Sequence, residues 1–146
     1  MDEVSKLNNL VKRSNRILFE ADTVFPLDLF PDTIRIDENK VDIIARQFLS
    51  TKHVLTIMID SINTVTLSTG PIFATLNFEV NGFVTGYEVK PGPIRHLWKR
   101  DAVKIRRIVL GLVAARNENI KLEEIPPAAL RPKVEQIGKA KEFTHI

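Results

Sequence analysis

Chemistry needs particular side chains at particular spacings, and the candidates in this chain are three histidines, a set of acids near predicted turns, and no cysteine at all. His53, His96 and His145 stand far apart, and none forms an i, i+4 pair with a nearby acid, the spacing that sets two imidazoles around a metal on one helix face. No metal site is expected; His53 reads as a strand residue, His96 as a surface neighbour of a helix start and His145 as part of a tail. Asp37, Glu38, Asp42 and Asp60 could be imagined as paired carboxylates. Their turn and edge positions favour acids for solubility and Asx turns anyway. Without cysteine there is no thiolate nucleophile, thiolate ligand or disulfide. The sequence also has no Gly-rich phosphate loop and no nucleophile elbow, so the expectation is a chain that is not an enzyme and carries no cofactor.

Two surfaces could instead bind. Lys99, Arg100, Lys104, Arg106 and Arg107 concentrate positive charge. On a helical wheel of about 100° per residue, Arg100, Lys104 and Arg107 fall opposite Trp98 and Ile105, with Lys99 and Arg106 flanking them. Such a stripe is either a solvated outer face or a contact for an anionic membrane, an acidic protein or nucleic-acid phosphates. No aromatic side chains interleave with it to stack bases, which makes nucleic acid the weakest of these. The second surface is Phe25-Pro26-Leu27-Asp28-Leu29-Phe30-Pro31. Its prolines exclude continuous helix, and Phe25, Leu27, Leu29 and Phe30 are either lids over the core or an apolar patch facing a partner.

The elements that must position these surfaces follow from length and patterning. At 146 residues, with 44% hydrophobic and 27% charged, the chain is the size of one ordinary core with tails. The net charge of +3 is mildly basic, short of a dedicated nucleic-acid binder. Asp2, Glu3 and Lys6 interrupt the N-terminal segment, so no secretion signal is expected. No uncharged apolar run reaches the roughly 18 residues of a membrane-spanning helix, and the expected location is cytoplasmic.

Val4, Leu7, Leu10 and Val11 predict a short amphipathic helix within Met1 to Asn15, and Arg16 to Pro31 reads as an extended apolar strap. From Thr33 the period becomes two. Ile34 and Ile36, then Val41, Ile43 and Ala45, predict a strand pair around a Glu38-Asn39 turn. Val54 to Ile59 and Ile62 to Ser68 predict two more strands around Asp60-Ser61, and Ile72 to Val80 a fifth. Asn81-Gly82 predicts a hairpin into Phe83 to Val89, and Ile94 to Leu97 a short seventh strand. Trp98, Ala102, Ile105, Val109 and Leu112 then mark a core-facing helix, with Trp98 expected to be largely buried. Beyond Asn119, Pro126-Pro127 and polar neighbours suggest a tail dispensable for folding, with room for a loosely attached helix between Leu130 and Lys141. The division is residues 1–32, helix and strap; 33–118, the folded body; 119–146, the tail.

Ile57-Met58-Ile59-Asp60-Ser61-Ile62-Asn63-Thr64-Val65 is similar to the strand-turn-strand segment of bacterial pleckstrin-homology-like (PH-like) domains. Leu97-Trp98-Lys99-Arg100-Asp101-Ala102 with Ile108-Val109-Leu110-Gly111-Leu112 resembles their closing helix, and the likeness covers about Thr33 to Asn117. It implies a mainly β fold, a bent antiparallel seven-stranded barrel or sandwich capped by one C-terminal helix. In the lipid-binding relatives a basic first hairpin grips inositol phosphates. Here that stretch is Ile36-Asp37-Glu38-Asn39-Lys40-Val41-Asp42, three acids around one lysine, which argues against phosphoinositides. The expected function is a binding or adaptor domain for a protein or peptide, with self-association open, through strand addition to a sheet edge. The runner-up is peripheral attachment to an anionic membrane through the basic helix face.

Overall fold

The computed structural model describes residues 2–14, 16–46, 52–81, 83–84, 87–88 and 91–142. Alternating apolar residues build two antiparallel sheets. The first holds β1 (Ile17–Asp22), β2 (Thr33–Asp37), β3 (Lys40–Arg46) and β4 (Lys52–Met58), paired in chain order. The second orders β5 (Ile62–Thr69), β6 (Phe73–Val80) and β9 (Ile94–Trp98), while β7 (Phe83–Val84) and β8 (Tyr87–Glu88) pair only with each other. The register puts Ile34 opposite Ile43 and Ile36 opposite Val41, so that face of β2 and β3 is aliphatic. Ala74, Leu76 and Phe78 give β6 an apolar face, and both faces close on one core.

Among the described residues three α-helices accompany the sheets: α1 (Glu3–Ser14), α2 (Lys99–Asn117) and α3 (Pro127–Glu142). Helix α2 buries Ala102, Ile105, Ile108, Val109 and Leu112 against the sheets, as the periodicity predicts. Just past its end stands Asn119, whose φ of 57° lets the Ile120 N–H reach back to the Ala115 carbonyl at 3.1 Å. That is a left-handed cap on the helix end. A single 3-10 turn, Leu122–Glu124, buries Leu122 before α3 begins. Pro127 opens α3, where a missing N–H costs nothing.

Several expectations change. The architecture is a two-sheet, mixed α and β fold with three α-helices rather than a mainly β barrel capped by one. No ladder among the described residues joins the sheets. One corner is tied by a backbone bond from the Val24 N–H to the His96 carbonyl at 2.8 Å. The first half of the strap is strand β1. A register shift between Ile17 and Phe19 places the inward residues Leu18 and Ala21 three apart, which breaks the period-two signal. The expected sixth strand is the small β7–β8 hairpin, and β6 pairs with β9 instead; Gly82 of the Asn81-Gly82 signal lies outside the described residues.

Trp98 is 42% exposed, against the expectation of burial. It is still a strand residue, so parity sends Leu97 fully inward and Trp98 outward, its ring 5.3 Å from that of Phe73. The helix begins only at Lys99.

The segment after Asn119 is not loosely attached. Helix α3 lies along α2 with Leu130 and Val134 buried, and two glycines bring the backbones together. A Cβ on Gly111 would overlap the backbone of Val134, and one on Gly138 the backbone of Arg107. Where α3 also meets β1, the Arg131 guanidinium stacks over the Phe19 ring, 5.1 Å from its centroid.

Candidate functional site

The second half of the strap is an ordered loop tied off at Thr23. The Thr23 hydroxyl donates to Asp28 Oδ2 and accepts from the Asp32 N–H, both at 2.8 Å, while the Thr23 N–H donates to the Asp32 carbonyl at 2.9 Å. Within it, the Asp28 N–H donates to the Val24 carbonyl at 2.9 Å and the Phe30 N–H to Asp28 Oδ1 at 3.2 Å. Burial and the neighbouring Asp28 charge push the Asp32 carboxyl above its ordinary pKa. With the polar atoms turned inward to hold the loop, the apolar side chains point out. Phe25 is 65% exposed, Leu27 51%, Leu29 68% and Phe30 43%. A lid over the core would be covered, and these four side chains are not.

The basic set divides in two. Lys99 and Arg100 are exposed, and Arg100 reaches Asp101 only at 4.0 Å. Arg106 and Arg107 turn toward the body. Arg106 Nε donates to the Val65 carbonyl at 2.9 Å and its Nη1 lies 3.3 Å from Glu142 Oε1, while Arg107 Nε lies 3.2 Å from the same oxygen. Lys104, half-buried, sits between the two groups along α2. The two arginines therefore clamp α3 and β5 to α2, and Glu142 offsets much of their charge.

Acids singled out in the sequence also hold local structure. Asp37 Oδ1 accepts the N–H groups of Asn39 and Lys40 at 2.7 and 2.9 Å, the Asx turn expected there. Asp42 accepts from the Thr56 hydroxyl at 2.6 Å and lies 3.5 Å from Lys40 Nζ. Asp60 pairs with Arg116 at 3.3 Å. Asp37, Lys40, Asp60 and Arg116, though not Asp42, line an open groove of about 770 Å³ between the β2–β3 turn, the C-terminal end of α2 and Leu10 of α1.

Glu38, at the rim of this groove, was legible only as a turn acid. It is 2% exposed, and its Oε2 lies 3.2 Å from Arg16 Nη2 without an aligned hydrogen bond. Arg16 in turn donates to the Glu123, Ile125 and Leu122 carbonyls, fixing the start of β1 to the link before α3. Burial pushes the Glu38 carboxyl above its ordinary pKa, and the Arg16 charge opposes that rise without cancelling it. No spacing in the sequence connects residue 16 with residues 38 and 123. The groove is a knot of mutually neutralised charges, with no nucleophile set beside a base.

His53 is exposed on β4, His96 sits in β9 with φ of 63°, and His145 lies outside the described residues. Among the described residues no three His, Cys, Asp or Glu side chains converge as a metal site. Among the described residues no helix is long and apolar enough to cross a membrane. The sheet edges bear on strand addition: the strap bonds to β9 at His96, Arg106 takes a carbonyl of β5, and α3 packs beside β1. Strand β4 carries Val54 and Met58 exposed. No protein-family model matches this chain, and neither does any curated protein or solved structure.

Proposed function

We propose that this chain is a non-catalytic binding domain on a PH-like scaffold and that it takes a protein or peptide partner on the strap. The observation that carries the reading is the exposure of Phe25, Leu27, Leu29 and Phe30 on a loop whose own hydrogen bonds hold it in one shape. Large apolar side chains presented this way lose little entropy on binding, and each contributes roughly 1.5–3 kcal/mol when fully buried. The order of four strands, three strands and a helix laid on the second sheet supports the scaffold; α1 and α3 are additions to it.

A photoreactive phenylalanine analogue at position 25, in the full chain in a lysate of the source cells, should give a discrete adduct that Leu29→Ser abolishes. The same analogue at Thr66, exposed on β5, should give none. Equal labelling at both positions, or none at either, would sink the reading. Membrane attachment ranks second because Arg106 and Arg107 are engaged by Glu142, leaving Lys99, Arg100 and Lys104. Sedimentation with anionic vesicles at low salt separates the two.

A further inference from the structure

The outer face of the second sheet brings together what the basic stripe of α2 lacks, aromatic rings beside free cations. Ala74 and Leu76 of β6 and Leu97 of β9 point into the core, so strand parity turns Phe73, Thr75 and Trp98 outward. Arg95 is outward as well. A register shift between Ala74 and Leu76, with the positive φ of His96 opposite, sets the inward residues Ile94 and Leu97 of β9 three apart. Phe73 and Trp98 stand opposite each other across the ladder, their rings 5.3 Å apart and tilted by 34°. The Lys99 N–H donates to the carbonyl of the exposed Ile72 at 3.1 Å, which fixes the start of α2 at the same corner.

Three cations adjoin the rings. Arg95 and Lys99 are exposed and in no salt bridge among the described residues, and Arg100 reaches Asp101 only at 4.0 Å. Beside them lies a groove of about 310 Å³ walled by Ser68, Thr69, Phe73, Thr75, Arg95 and His96. One concavity therefore offers a ring, hydroxyl groups and a guanidinium. A nucleobase uses all three, stacking on the ring and bonding its edge to the hydroxyls while its phosphate meets the cations. A lipid surface would use the exposed apolar tips and cations but has no part that enters a groove of hydroxyls. An acidic peptide would satisfy the cations and leave the ring faces without a planar partner.

We infer that this corner of β6 and β9 binds single-stranded nucleic acid, with bases stacked on Phe73 and Trp98 and phosphates held by Arg95, Lys99 and Arg100. It uses none of the strap side chains and stands apart from the partner proposed for them. With three phosphate contacts the affinity is expected to be modest, a Kd on the order of 10 µM at low salt.

Trp98 is the chain's one tryptophan, so its fluorescence reports stacking directly. Oligothymidylate of about eight nucleotides, titrated into the full chain at about 50 mM salt, should quench it. An abasic strand of equal charge should bind about tenfold more weakly and leave the fluorescence unchanged. The logarithm of the binding constant should fall against that of salt with a slope of about −2, three contacts at about −0.7 each. Arg95→Gln with Lys99→Gln and Arg100→Gln should flatten that slope. By anisotropy of a labelled strand, Phe73→Ala and Trp98→Ala should each weaken binding about tenfold, and Trp98→Phe should restore most of the Trp98→Ala loss. Leu29→Ser, on the strap, should change nothing. No binding, binding without quenching, or equal binding of the abasic strand overturns the inference. So does tighter binding to anionic vesicles, or to oligoglutamate of the same charge, than to oligothymidylate.

Discussion

Helices α1 and α3 lie near opposite ends of the chain, and each carries apolar residues at helical spacing. In α1 the stripe is continuous, Val4, Leu7, Leu10 and Val11, and it is exposed. In α3 it is thinner, Leu130 and Val134 among polar neighbours, and it is buried. Two features set them apart. Gly138 and its counterpart Gly111 let the α3 and α2 backbones approach where a methyl group would not fit, which adds close dispersion contact along the seam. Glu142 then joins Arg106 and Arg107 at the far end of the same seam. An apolar stripe says that a face wants cover. Small residues and matched charges on a neighbour decide whether the chain itself supplies it.

The largest test of that contrast is to end the chain at Asn119. This removes three buried side chains, Leu122, Leu130 and Val134, uncovers the outer side of α2 and strips the partners of Arg16 at Glu123 and Ile125. The apolar loss alone is roughly 4.5–9 kcal/mol, a large part of the 5–15 kcal/mol that holds a typical domain together. The shortened chain should lose its cooperative thermal transition. A transition as sharp as that of the full chain, followed by calorimetry, would return α3 to the status of a tail.

Next in size come Gly111→Ala and Gly138→Ala. On an isolated helix either change would stabilise by about 1 kcal/mol. At the seam the new methyl group meets backbone, which cannot step aside as a side-chain tip can. Each variant should therefore be destabilised by about 3 kcal/mol in urea unfolding. The reversal of sign is the diagnostic.

Periodicity made β2, β3, β6 and helix α2 legible, because in each the inward residues repeat without interruption; β5 and β9 were legible from flanking turns and β-branched residues although their inward residues, Ile62 and Val65 or Ile94 and Leu97, stand three apart. It failed where one residue disturbed the count. The register shift in β1 hid a strand inside an apolar segment, and Trp98 was counted with the helix that follows although strand parity governs it. Long-range pairing left no trace of any kind: Arg16 with Glu38, Arg106 with Glu142 and Gly111 with Val134 join residues that no local pattern connects. The strap was legible as apolar and extended, but lid and patch are the same in sequence. Inward hydrogen bonds from Thr23 and Asp28 decide between them.

A smaller effect belongs to Glu38, whose burial on the side of the fold that α3 completes raises its carboxyl above the ordinary value of 4.5. The native state therefore holds this proton more tightly than the unfolded chain does, and stability attributable to Glu38 rises as pH falls. The rise begins as pH drops through the raised native value and is complete below about 4.5, the unfolded value. Relative to Glu38→Gln, the wild-type melting temperature should thus improve from neutral toward acid pH. A difference between the two proteins that stays constant with pH, or shrinks toward acid, would mean that the Arg16 pair outweighs burial.

The smallest expected effect is at the other end of the contrast. Deleting residues 2–13 leaves Arg16 and β1 in place and removes side chains that are mostly in solvent, together with a local Lys6–Glu3 pair worth a few tenths of a kcal/mol. Urea unfolding should change by less than about 1 kcal/mol, the range of ordinary surface substitutions. A loss above about 2 kcal/mol would exceed what exposed side chains can contribute. It would show that α1 packs on the body in solution, and the difference between the two terminal helices would then be one of degree.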